Sequence, residues 1–164
     1  MKTLLVLRHA KSSHEDGSLK DIDRALNERG IGDAKLMGGV ILKRKIQPDL
    51  IVASPAERVR QTADLTLKAA RLNVELTFDK RIYEANARGL FKVLMDVADT
   101  SNTVMLIGHN PGLEDLLERL TGEAITLPTG ALAGVELKVE NWSEVRTGVG
   151  KLTFRVTPKE LKSR

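Results

Sequence analysis

No cysteine occurs in the 164 residues, which excludes disulfides, thiolate-held metals and a cysteine nucleophile. That absence fits a reducing cytoplasm, the expected location. Aromatic side chains are scarce: Phe78, Tyr83, Phe91, Trp142 and Phe154 are the whole set, too scattered for the stacking platform that single-stranded nucleic acid requires. No apolar run approaches the roughly 20 residues that span a bilayer, so no membrane segment is expected. The opening MKTLLVLRHA is interrupted by arginine and histidine too early for a signal-peptide core, and reads as a first strand. Neither a G-x-x-x-x-G-K-[ST] loop nor a G-x-G-x-x-G turn is present, so nucleotide-binding folds lack their markers. Histidine is limited to His9, His14 and His109. No two of them have the spacing of a metal-binding helix, and neither a metal nor another cofactor is expected.

What is present is an ordinary balance, 41% hydrophobic and 29% charged, in a length that suits one domain spanning residues 1–164 with its own core. The net charge of +4 is dispersed. Lys43, Arg44 and Lys45 close a helix, where cations complement the dipole, and Lys159, Lys162 and Arg164 lie in the tail. Nucleic-acid binding is therefore not expected, although an acidic docking partner suits such a surface.

Apolar runs alternate with helical periodicities. Thr3–Leu7, Asp49–Ala53 and Thr103–Gly108 have the continuous apolar character of buried strands, and VELTF after Asn73 forms a shorter one. Between them, Leu26–Lys45, Ala56–Ala70, Gly89–Val97 and the stripe Leu113, Leu116, Leu117, Leu120 have helical spacing, with Pro111 at the first position of the last helix. LAGVELKVE and KLTFRVT alternate apolar and polar residues and predict an antiparallel pair. The expected fold is a three-layer α/β/α sandwich: a mostly parallel sheet with an antiparallel pair near the carboxyl terminus. The connections are expected to be short, with no large lid insertion. Gly38-Gly39, inside a helical pattern, predicts a close-packing site.

In an open α/β sheet, ligands bind outside the carboxyl ends of the strands. Here the first apolar run ends in Arg8-His9, the second in Ser54-Pro55 with Arg58 shortly after, and the third in Gly108-His109. Two guanidinium groups and two imidazoles therefore meet at one sheet edge. Arginine's planar fork matches phosphoryl oxygens, and a helix amino terminus at Pro111 would add N–H groups. Phosphoryl transfer needs positioning, charge and a nucleophile; with no cysteine and no metal cage, imidazole is the leading candidate.

Four stretches resemble the histidine phosphatase superfamily, and within it the small SixA-type phosphohistidine phosphatases: LRHAKSS (7–13), DIDRALNERGIGDA (21–34), SPAERVRQTA (54–63) and IGHNPG (107–112). Their order and spacing agree with the family throughout. The resemblance implies a phosphoglycerate mutase-like fold, with His9 phosphorylated during turnover and Arg8, Arg58 and His109 holding the phosphoryl group. Arg24 matches a motif arginine and is assigned either substrate contact or structural support. Ala10 stands where many members have glycine, as in SixA-like members.

A nucleophilic His9 must be neutral, with its second ring nitrogen held by an acceptor such as a backbone carbonyl, whereas a protonated His109 would donate to the phosphoryl oxygens. An ester leaving group needs a general acid, and a phosphohistidine imidazole needs one less. Glu84 is the candidate acid; Asp21, Asp23, His14 and Glu15 are weaker alternatives. Ser12 is a candidate donor to a phosphoryl oxygen. The expected substrate is a phosphohistidine-bearing protein, acted on by a monomer or weak dimer. A small-molecule phosphomonoesterase is the alternative. A non-catalytic phosphoprotein-binding module would not need His9.

Overall fold

The computed structural model describes residues 1–163, and Arg164 lies outside them. The elements in chain order are β1 (Lys2–Arg8), α1 (Glu28–Lys43), β2 (Leu50–Ala53), α2 (Glu57–Ala70), β3 (Glu75–Phe78), α3 (Ala87–Met95), β4 (Thr103–Gly108), α4 (Gly112–Thr121), β5 (Leu132–Leu137), β6 (Gly150–Val156) and α5 (Pro158–Lys162). The strands form one sheet in the order β3-β2-β4-β1-β5-β6. Neighbours from β3 to β1 pair in parallel, and β5 runs antiparallel to both β1 and β6. This is the expected mostly parallel α/β sheet with an antiparallel pair at one side.

Two apolar layers explain why the central strands are apolar along their whole length. Leu4 and Val6 of β1 join Leu90, Leu94, Leu113 and Leu117 on the α3 and α4 face. Leu5 and Leu7 join Met37, Ile41, Val59 and Ala63 on the α1 and α2 face. Successive side chains alternate between faces that are both covered, so no polar period appears. Each leucine buried this way contributes about 1.5–3 kcal/mol.

Local capping sets the helix boundaries. Asn27 accepts from the Gly30 amide and starts α1 at Glu28, and Asn86 accepts from Gly89 and starts α3 at Ala87, two residues before the periodicity alone suggests. Pro111 occupies the N-cap of α4, one place earlier than expected. Gly38 lets α1 lie against α2: a Cβ there would stand 2.5 Å from both the Thr66 carbonyl oxygen and the Ala69 Cβ. Gly39 faces open space.

The register sets Arg8 beside Gly108 and Ala53 beside Ile107, so β1, β2 and β4 end level and their next residues share one edge. Contrary to the expectation of short connections, residues 9–27 make an extended excursion between β1 and α1. Ser13 donates its amide to Ala25 and Ser12 bridges to Leu26, folding the excursion back across that edge. Among the described residues, no helix is long and apolar enough to cross a membrane.

Candidate active site

His9 follows the last residue of β1, and its amide donates to the Gly108 carbonyl, which binds the end of β1 to the end of β4. Its ring is buried, and Nδ1–H donates to the Ala10 carbonyl at 2.7 Å. That bond fixes the tautomer and leaves the lone pair on Nε2. Burial, with the charges of Arg58, Arg8 and Arg24, holds the imidazole down to about 4, so it is neutral near pH 7. A buried, oriented, unprotonated imidazole is what a nucleophile requires.

His109 sits 5.3 Å from His9 between ring centroids, at a tilt of 58°. An Arg58 Nη2 proton is donated to its Nδ1 at 3.3 Å, so the ring proton is on Nε2, which donates to Ser54 Oγ at 2.8 Å. Burial and the Arg58 charge push this histidine down to about 3. A protonated His109 is expected when it donates to a phosphoryl group in the transition state. In this structure it is neutral, because the neighbouring guanidinium uses it as an acceptor.

Arg58, the second residue of α2, is itself buried and tightly held. Nη1 donates to the Asp21 carbonyl at 2.8 Å and Nη2 to the Asp21 carboxylate at 3.1 Å. The same carboxylate accepts from Tyr83 Oη at 2.6 Å and from Arg24 Nε at 3.0 Å. Those bonds, Tyr83's foremost, hold Asp21 far below the usual carboxylate range. Burial and the bond to Asp21 push Tyr83 up to about 12. On the opposite side, Arg8 Nη1 donates to the Leu127 carbonyl at 3.2 Å, an oxygen that also accepts from Asn110 Nδ2 at 2.9 Å. Arg8 Nε and Arg58 Nε are both buried with no acceptor. Unpaired buried N–H donors are costly, and two guanidinium donors of this kind beside a neutral imidazole call for an anion.

The sequence matches a model of the histidine phosphatase superfamily (branch 1) over residues 4–93. The chain belongs to that superfamily. An uncharacterised Mycobacterium tuberculosis protein is 30% identical over 157 residues, covering 89% of this chain and 96% of the relative. A candidate phosphohistidine phosphatase SixA from Agrobacterium tumefaciens superposes with a TM-score of 0.83 at 27% identity, covering 96% of this chain and 98% of that one. A protein histidine phosphatase SixA solved with tungstate shares the fold at a TM-score of 0.84 and 21% identity, with 97% and 99% covered.

Within this superfamily frame, Arg8, His9, Arg58 and His109 meet as their strand ends required. Arg24 lies at the border of the site. Besides Asp21, its guanidinium donates to Ser12 Oγ at 2.8 Å and to the Ser13 carbonyl at 3.1 Å, so it ties residues 12–14 to the Asp21 turn. Ser12, a candidate phosphoryl donor, is buried and serves as Arg24's acceptor. Glu84 is exposed next to Tyr83, without a hydrogen bond and with φ at 57°. Asp21, weighed as an acid, is instead an acceptor locked in its ionised form. Sequence reasoning gave no role to Ser54, Tyr83, Asn110 or the Leu127 carbonyl. Ser54 was visible at a strand end, whereas a backbone oxygen leaves no trace in side-chain identity.

Proposed function

We propose that the chain hydrolyses phosphohistidine on a protein through a covalent intermediate on His9. The observation that carries this is the His9 ring: neutral, fixed through Nδ1, and flanked by two guanidinium groups with unpaired Nε donors. The tungstate complex of the SixA relative adds support, because tungstate is a tetrahedral oxyanion like phosphate. The fold alone does not decide the substrate, since a mycobacterial glucosyl-3-phosphoglycerate phosphatase shares it at 18% identity and a TM-score of 0.69.

In the first step Nε2 of His9 forms a bond to phosphorus as the substrate's N–P bond breaks, its electron pair returning to the substrate imidazole. Arg8 and Arg58 hold the equatorial oxygens and stabilise their charge. His109 becomes a donor once a dianion lies beside it, since the added negative charge raises its proton affinity. Water then attacks phosphorus, its proton passes to the departing phosphate, and the His9 N–P bond breaks with the pair returned to Nε2. The leaving imidazole departs without a strong general acid, consistent with an exposed, unbonded Glu84.

The test compares hydrolysis of a phosphohistidine-bearing protein with phosphoserine, phosphotyrosine and sugar phosphates, using wild type and His9→Ala. The expected result is preference for phosphohistidine, acid-labile phosphate on the wild-type enzyme, and loss of both turnover and label in the variant. Turnover retained by His9→Ala, with acid-stable phosphate elsewhere, would overturn the mechanism.

A further inference from the structure

The segment Thr126–Gly130 is a wall with two sides. On the inner side the Leu127 carbonyl holds Arg8 and Asn110, and the Gly130 amide donates to the carbonyls of both Arg8 and His9 at 3.1 and 3.0 Å. On the outer side Thr126, Pro128 and Thr129 line a groove of about 480 Å³, faced by Arg29 of α1, Arg155 of β6 and Lys159 of α5. The groove and the phosphoryl pocket are therefore separated by a single thickness of backbone.

Its chemistry is that of an acceptor-binding surface. Arg155 is preset: Nη1 donates to both the carbonyl and the hydroxyl of Thr126 at 2.8 Å. Arg29 is exposed and reaches the buried Asp33 only at 3.7 Å, and Lys159 is exposed with no ion pair among the described residues. One carboxylate, Glu160, lines the groove and stands 3.5 Å from Arg155, leaving positive charge in excess among the lining residues. No aromatic side chain lines it, so nucleobases find nothing to stack on. The volume suits a few side chains of an extended peptide.

We propose that this groove docks an acidic segment of the phosphoprotein substrate, flanking the phosphorylated histidine. The inference rests on the protein-phosphohistidine reading above. With a phosphorylated side chain at His9, the chain flanking it meets the Thr126–Gly130 wall, whose other side lines the groove. Carboxylates there meet Lys159, Arg29 and Arg155, which gives specificity and association rate without entering the chemical step.

The test uses two chemically phosphorylated histidine peptides, one with aspartates on both flanks and one with asparagines, together with a small phosphoester. Lys159→Glu is compared with Lys151→Glu, which makes the same charge change on β6 outside the groove. Wild type should show a KM five- to tenfold lower for the acidic peptide than for the amide peptide, an advantage that shrinks in high salt. Lys159→Glu should remove that advantage with kcat and phosphoester hydrolysis unchanged, and Lys151→Glu should keep it. Equal KM for the two peptides in wild type, or equal effects of the two substitutions, would overturn the docking groove while leaving the substrate class intact. Hydrolysis of the phosphoester with neither peptide turned over would overturn the substrate class and the groove with it.

Discussion

Asp21 and Arg58 are joined twice, the guanidinium donating to both the backbone carbonyl and the carboxylate of the same residue. The pair spans the β1–α1 excursion and α2, so the position of Arg58 depends on the single 3-10 turn Asp21–Asp23 within a long connection. Asp21→Asn keeps the carbonyl contact and removes the charge. It should lower kcat/KM for a phosphohistidine protein about 10- to 100-fold, the range for losing a charge-assisted bond of about 1.5–3 kcal/mol. Tyr83→Phe should cost less. The two should be non-additive in the double variant, because both act through one carboxylate.

Ser54 accepts the only ring proton of His109. Ser54→Ala leaves that N–H without its protein acceptor and frees the ring to rotate. Steady-state kinetics should show kcat down about tenfold with KM little changed. An unchanged kcat would mean that Arg58 alone orients His109.

His9 and His109 both have folded values below the unfolded histidine near 6.5. Their contribution to stability is present above that value and is lost as pH falls through it toward the folded values. Each adds up to about 1.4 kcal/mol per pH unit to the slope in that window, which denaturant titrations at several pH values will read, and His9→Asn should remove its share. Catalysis should behave differently. The acidic limb of kcat/KM set by the nucleophile should fall near pH 4 and not near 6.5, provided the protein remains folded.

Glu84 combines an exposed carboxylate with a left-handed backbone. Glu84→Gln should reduce phosphoester hydrolysis at least tenfold while leaving phosphohistidine hydrolysis within about twofold, the difference expected when only the ester needs a proton donor. Equal losses on both substrates would remove it as the acid. Glu84→Gly should raise the unfolding midpoint, because glycine adopts that φ without the cost of about 1 kcal/mol.

Gly38→Ala should lower stability by about 1–2 kcal/mol: overpacking against Thr66 and Ala69 outweighs the roughly 1 kcal/mol gained in helix propensity. Gly39→Ala, in open space, should raise it. The two urea midpoints should move in opposite directions.

TLLVLRHA, DLIVASPAER and TVMLIGHNPG disclosed the sheet and four residues at its edge because buried parallel strands are apolar on both faces and must end where ligands bind. Helix starts were off by a residue or two where asparagine caps set the boundary. The clamp on Arg58 was less visible. Asp21 lies 37 residues from Arg58 and 62 from Tyr83, and nothing in local spacing says which of several loop acids will fold back. The neutral state of His109 ahead of any phosphoryl group was hidden for a related reason: it follows from a guanidinium at hydrogen-bond distance, which strand-end position alone does not disclose. The groove outside residues 126–130 gathers side chains from α1, β6 and α5, so no contiguous motif announces it.

The strand order has a consequence during synthesis. β1 is synthesised well before its two partners, β4 and β5, which end at Gly108 and Leu137. At about 5–20 residues per second, the apolar strand that leads into His9 waits on the order of ten seconds without a pairing edge. The central position of β1 therefore makes closure of the sheet, and with it the edge where His9 and His109 meet, one of the last events in folding.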